Sequence, residues 1–270
     1  MKFIHVTAST ALAEELDKPH CLIFDDTTVK KSGKKMEKLG RVWDHVVQRS
    51  ILGFKILVAL YWDGKSSIPI DFSIHREKGQ KESKPYGMSK KDLKRQYSKK
   101  RIKESESHQR IKELDTSKIE MMLRMFYNAV YRCLRIDYVL VDSWFTCEAL
   151  INAVISQGVH LIGMYKIATT KFLYRGKLLT YSPINSLISK PTRCRSLKYY
   201  YKRADVMYGD TKLTLFFSRQ GTTGKWNVFD KPRTEVKPAS ALSRRENDWI
   251  YSKVILTTDT SLSFIKLLEL

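Results

Sequence analysis

Apolar runs broken by polar turns organise the first 165 residues of this chain of 270. After a short helix over 8–17, the run Cys21-Leu22-Ile23-Phe24 reads as a strand from His20 to Asp26, closed by Asp25-Asp26 and the Thr27-Thr28 pair. Residues Val29 to Asp44 are basic, with a turn at Ser32-Gly33. A second strand, Ile51 to Trp62, is almost wholly apolar, and Asp63-Gly64 turns it into a third, Ile68 to His75. These three strands form a meander.

Ile119, Met122, Leu123, Phe126, Val130 and Leu134 recur at helical spacing and predict a helix over 119–134, whose Met and aromatic residues belong to the core. A strand from Asp137 to Asp142, a helix from Phe145 to Gln157 stopped by Gly158, and a strand from Val159 to Tyr165 follow. From Cys21 the order is therefore β-β-β-α-β-α-β. Beyond Lys166 short strand-like runs alternate with turns: 171–174, 178–181, 197–206, 212–218 and 226–229, with Gly221-Thr222-Thr223-Gly224 between the last two. This texture predicts a β-rich insertion. A last strand over 249–257 leads through Thr258-Asp259-Thr260, read as helix N-cap chemistry, into an apolar helix over 262–270.

The formal net charge is +21. A chain this positive collects polyanions by counterion release, which points to nucleic acid. Charge is concentrated in residues 76–118, where 15 Lys or Arg face 7 Asp or Glu, 15 − 7 = +8. That stretch reads as a loop or a solvated helix, either a charged connection or a DNA contact. No run approaches the roughly 18 apolar residues of a membrane span, and the N-terminus lacks a secretory pattern, so a cytoplasmic location is expected. Cys21, Cys133, Cys147 and Cys194 show no C-x-x-C spacing; they read as reduced thiols, Cys21 and Cys133 in the core.

Against so basic a background, carboxylates at the ends of hydrophobic strands stand out. In a mixed sheet of this order the strand ending at Asp142 is expected beside the strand carrying Asp25 and Asp26. Two carboxylates held close repel unless a cation bridges them. Mg²⁺ takes carboxylate and phosphate oxygens together, and a pair of ions roughly 3.5 to 4 Å apart stabilises both the attacking and the leaving oxygen of a phosphate.

The motifs Leu22-Ile23-Phe24-Asp25-Asp26-Thr27-Thr28 and Val139-Leu140-Val141-Asp142-Ser143-Trp144-Phe145 resemble the first and second acidic motifs of bacterial insertion-sequence transposases of the DDE class. The element order is similar to their ribonuclease-H-like core, an α/β mixed sheet flanked by helices, in the branch with a β-rich insertion. The resemblance implies a core over 1–165 with a basic connection at 76–118, an insertion over 166–250, and a return strand with the start of the final helix over 251–270. It implies Mg²⁺ or Mn²⁺-dependent cleavage of transposon ends and strand transfer into target DNA. Double-stranded DNA is the implied partner, association with the bacterial nucleoid the implied location, and a homodimer stays open. Asp142 corresponds to the second acidic residue. Both Asp25 and Asp26 fit the first, with Asp26, directly before the Thr pair, favoured; Asp26 and Asp142 are the implied metal ligands.

The third acidic position departs from the family. Its Tyr-x₂-Arg-x₃-Glu-x₆-Lys pattern is missing, and Glu269 lacks that context, which gives the expectation of a truncated copy. Glu148, six residues after Asp142, reads as a helix-surface carboxylate and His45 as a satisfied polar residue. Trp43 and Trp144 read as core or site-wall aromatics, and Lys166 and the Tyr199-to-Arg203 cluster as DNA contacts or a solvated strand. Two alternatives remain beside the transposase reading: a non-catalytic DNA-binding remnant and a general ribonuclease-H-like nuclease.

Overall fold

The computed structural model describes residues 18–165, 170–195, 199–220 and 253–270. They fall into two compact units, Met1–Ile136 and Asp137–Leu270. The helix expected over 8–17, Lys166, the 221–224 turn, the 226–229 run and the beginning of the last strand lie outside the described residues.

In the first unit β1 (Cys21–Lys30), β2 (Gly40–Asp44), β3 (Arg49–Trp62) and β4 (Ser67–His75) form an antiparallel sheet, followed by the helices α1 (Lys90–Lys94), α2 (Glu106–Glu113) and α3 (Lys118–Tyr131). β3 is central because its run alternates buried Leu57, Ala59 and Tyr61 with half-buried Val58, Leu60 and Trp62, so it packs on both faces. β1 pairs along one edge, from Cys21 opposite Trp62 to Lys30 opposite Gly53. β2 and β4 share the other edge in tandem. The expected turn at Asp63-Gly64 is built as read: Asp63 Oδ1 accepts from Lys65 N at 2.9 Å and Ser66 N at 2.7 Å, and Gly64 takes φ +91°. These amides, Ser66 foremost, hold the Asp63 carboxyl below its usual range.

Two strand boundaries differ from expectation. β1 continues through Thr27-Thr28-Val29 to Lys30, because β-branched residues favour a pleated strand once β3 is there to pair with. Asp25 and Asp26 therefore sit in mid-strand, not at its end. The basic segment before β3 also contains β2, whose short Gly40 and Val42 pattern is masked in sequence by flanking lysines. Its hairpin is tied by Asp44 Oδ1, which accepts from Val46 N at 2.8 Å.

α3 buries Met121, Met122, Met125, Phe126 and Ala129, the core role expected of them. It ends at Tyr131, and Cys133 follows at φ +56°, exposed rather than in the core; Cys21 is buried. Trp43 and Trp144 are 40% and 55% exposed, so neither is a core residue.

The second unit carries β5 (Tyr138–Val141), α4 (Glu148–Ser156), β6 (His160–Met164), β7 (Phe172–Tyr174), β8 (Lys177–Leu179), α5 (Tyr181–Leu187), β9 (Thr192–Cys194), β10 (Tyr199–Tyr208), β11 (Thr211–Gln220), β12 (Lys253–Thr257) and α6 (Phe264–Glu269). β5 and β6 are parallel, joined through α4, which stops at Gly158 with φ +67°. The sheet continues antiparallel through β12, β11, β10, β7 and β8, with β9 on β10. The fold is thus α/β, with mixed sheet and flanking helices, as the sequence pattern required.

Two local readings are corrected in this unit. Tyr181 begins a helix, α5, rather than ending a strand, because Ile184 and Asn185 are buried on its inner side. The N-cap of α6 is Ser263, whose hydroxyl accepts from Lys266 N at 3.3 Å. Asp259 instead folds onto its own turn, taking Ser261 Oγ at 2.6 Å, and receives Tyr138 Oη at 2.7 Å.

Candidate functional site

In the first unit the pleat separates the two adjacent acids. Asp25 stands opposite Val58 and Phe72, and Asp26 opposite Leu57 and Ser73, so they point to opposite faces of β1. Asp25 is exposed and accepts the backbone N–H of Asp26 at 2.8 Å. Asp26 lies beneath the first residue of α3: Lys118 Nζ reaches Asp26 Oδ2 at 2.6 Å, with the two side chains 23% and 20% exposed. Partial burial makes this pair stronger than an open surface bridge, because water screens it less.

The face that carries Asp26 also carries Ser73, His75 and the buried Lys55, which stands between Thr28 and His75. His75 Nδ1 faces Thr116 O at 3.1 Å and its Nε2 faces Ser73 Oγ at 2.6 Å. A carbonyl only accepts, so Nδ1 bears the proton and Nε2 accepts from the serine. Burial foremost, with the Lys118 charge nearby, lowers the His75 pKa below its ordinary value of 6.5, and the ring is neutral.

The unfolded chain thus binds the His75 proton more readily than the folded one. Stability from this residue is present above about pH 6.5 and is lost as pH falls below it. Thermal melts from pH 7.5 to 5.5 should show wild type losing stability and His75→Gln varying less; equal slopes would refute the assignment.

Behind this face Glu113 is buried and neutralised by Arg110 Nη1 at 3.0 Å and by Arg124. Arg110 also pairs with Asp71 at 3.3 Å and stacks on Phe72. These acids are committed to structure.

In the second unit Asp142 is exposed immediately after β5. Its Oδ1 accepts Trp144 N at 2.9 Å, and its carbonyl accepts Phe145 N at 3.3 Å and Thr146 Oγ1 at 3.0 Å. This Asx-type turn aims the carboxylate by fixing its own backbone, and it leaves Oδ2 for an outside ligand.

Gly163, opposite Val141 on β6, is what lets the turn lie down: a Cβ there would run into Thr146 Oγ1 and come within 3.2 Å of Thr146 Cγ2 and Val141 Cγ2. Gly163→Ala should cost about 1–3 kcal/mol by overpacking and displace Asp142. Chemical denaturation measures the first effect; an unchanged midpoint would show that the turn has room to move.

Glu148, the first residue of α4, accepts Tyr208 Oη at 3.1 Å, a surface carboxylate with a structural partner. Burial, then this carboxylate, raises the Tyr208 pKa. His45 is exposed, and its carbonyl accepts from Gln48. Asp259 lies where the antiparallel β12 ends, at the Tyr138 end of β5, away from the Val141 end that leads to Asp142. It supplies no further acid beside Asp142. Among the described residues no group of three or more His, Cys, Asp or Glu is placed to hold a metal ion.

The sequence pattern singles out Asp25, Asp26 and Asp142 as candidates, and the structure adds Lys118 and His75 as neighbours of Asp26 that the pattern does not mark. Their only sequence signals are the start of a helix and the end of a strand. Position 92 residues further on placed a cation against Asp26.

The family described as DDE superfamily endonuclease matches residues 5–183. No curated protein matches the chain. No helix of the described residues is long and apolar enough to cross a membrane.

Proposed function

The chain belongs to the DDE superfamily endonuclease family, and from that membership we propose that it is a transposase-type enzyme that cuts DNA phosphodiesters with divalent metal. The observation that carries the reading is that the matched residues 5–183 contain both acidic motifs. Nuclease chemistry on DNA and the use of divalent ions belong to the family at large. Cleavage at transposon ends, strand transfer into a target, Mg²⁺ or Mn²⁺ as the ion, and 166–250 as an insertion between acidic motifs are our finer reading of this chain.

Asp26 and Asp142 are proposed as the first and second metal-binding acids. Their chemistry fits a hard cation, which takes carboxylate oxygens. Asp142 has Oδ2 available beyond its own turn, and Asp26 already holds a cation, the Lys118 ammonium. That ammonium shows the Asp26 carboxylate in a place that accepts a cation. When bound, a divalent ion polarises the phosphate and lowers the pKa of an attacking water or 3′-hydroxyl. The chain's own part is to hold the Asp142 carboxylate by the Trp144 amide and to balance Asp26 with Lys118.

The test is incubation of the 270-residue chain with supercoiled DNA and with duplexes bearing candidate element ends in Mn²⁺. Nicking or end cleavage is expected, and its persistence in Asp142→Ala would refute the assignment. Cleavage indifferent to ends would return the general nuclease reading. Salt-sensitive binding with no cleavage would return the non-catalytic one.

A further inference from the structure

Residues 30–38 and 90–103 lie against one another at the far end of β1, and we infer that together they grip the sugar-phosphate backbone of duplex DNA, without reading its sequence. The inference rests on the DNA reading above and assigns the surface that carries the affinity.

Charge is the first observation. Residues 30–38 hold five Lys and one Glu, and residues 90–103 hold eight Lys or Arg and one Asp, so 13 − 2 = +11. These 9 + 14 = 23 residues thus carry just over half of the chain's net charge of +21.

The way the acids are used is the second. Glu37 takes Arg101 at 2.5 Å and the amide of Lys99 at 3.3 Å, and Asp92 takes Lys34 at 3.0 Å. Both acids are consumed as braces between the two segments, with Arg101 holding Glu37 below its usual carboxylate range. Backbone contacts complete the joint: Tyr97 N donates to Lys35 O at 2.7 Å and Gln96 Nε2 to Leu39 O at 2.7 Å. The lobe is therefore pinned by its few anions while Lys91, Lys94, Lys99 and Lys100 stay exposed.

Holding so many like charges together costs self-repulsion, which a polyanion relieves. Lysine dominates the patch. An ammonium is a point charge that suits phosphate, whereas reading a base edge calls for a fork of donors or a paired acceptor.

Position is the third observation. β1 runs from Asp26 to Lys30, four residues or about 13 Å at ~3.3 Å each, straight into the lobe. A duplex turn spans roughly 34 Å, so DNA with its scissile phosphate at Asp26 meets the lobe within one turn.

The experiment is fluorescence anisotropy of a random-sequence duplex between low and physiological salt. It compares the quadruple variant Lys91→Gln, Lys94→Gln, Lys99→Gln, Lys100→Gln with a control that removes four exposed lysines from the second unit, Lys171, Lys177, Lys190 and Lys212. The lobe variant should lose at least about tenfold in affinity at ~0.1 M salt, and its slope of log K against log salt should flatten by roughly 3.

The control should lose much less, and both variants should melt like wild type because every replaced side chain is exposed. Equal losses in the two variants, or an unmoved slope in the lobe variant, overturn the proposal. So does tighter binding to anionic phospholipid vesicles than to duplex. Failure of wild type to bind duplex at low salt would instead remove the DNA reading itself.

Discussion

Asp142→Asn and Asp26→Asn should each abolish Mn²⁺-dependent DNA cleavage, with losses of at least about 10³-fold, while duplex binding at low salt is retained or improved. The magnitude follows from chemistry: the charge stabilisation a metal supplies to a phosphoryl transition state is several kcal/mol, and about 4 kcal/mol corresponds to roughly 10³ in rate. An amide keeps the shape of the carboxylate but withdraws the negative charge that holds a divalent cation. Asp142→Asn should fold like wild type, since Asp142 is exposed and its Asx-turn bond from Trp144 is one an asparagine oxygen still accepts, and a melt of Asp26→Asn separates loss of its Lys118 pair from loss of chemistry. Asp25→Asn is the internal control. It lies on the opposite face of β1 from the Lys118 pair and should keep activity within a few-fold of wild type. Loss in Asp25→Asn with retention in Asp26→Asn would exchange the two roles.

Lys118→Met carries the second large effect, and its direction differs between two measurements. In the absence of metal the variant leaves a half-buried Asp26 carboxylate without its 2.6 Å ammonium partner, so thermal stability should fall. With the competing ammonium gone, divalent ions should bind more tightly by about fivefold, the equivalent of a partly exposed ion pair worth roughly 1 kcal/mol. Raising Mn²⁺ should therefore lift the melting temperature of Lys118→Met more than that of wild type, and Mn²⁺ titration followed by electron paramagnetic resonance should show the tighter binding. Lys118→Arg should behave as wild type. A metal-induced melting shift no larger in Lys118→Met than in wild type would remove Lys118 as a counter-ion exchanged at Asp26.

The reach of local pattern is clear from particular elements. β3, α3, β5 and β6 were readable because each carries enough apolar residues at one period to need a partner surface, whichever surface that is. The Asp63-Gly64 turn and the Gly158 stop were readable because their chemistry is local. β2 was not, since five residues with two buried positions carry too little signal beside neighbouring lysines, and β3 supplies most of the reason they are extended. Nor was the length of β1, because pairing with β3 extends it beyond the acids.

For the candidate site, residue types and short-range order nominate Asp25, Asp26 and Asp142, and the net charge of +21 points a basic protein at a polyanion. Composition and periodicity are properties of the chain itself, and they are legible before it folds. The separation of Asp25 from Asp26, the ammonium on Asp26, the neutral His75 and the bracing of 30–38 by 90–103 came only with tertiary structure. Each joins residues far apart in the chain, and a 2.6 Å contact across 92 residues is set by how α3 packs on the sheet, not by anything written beside either residue.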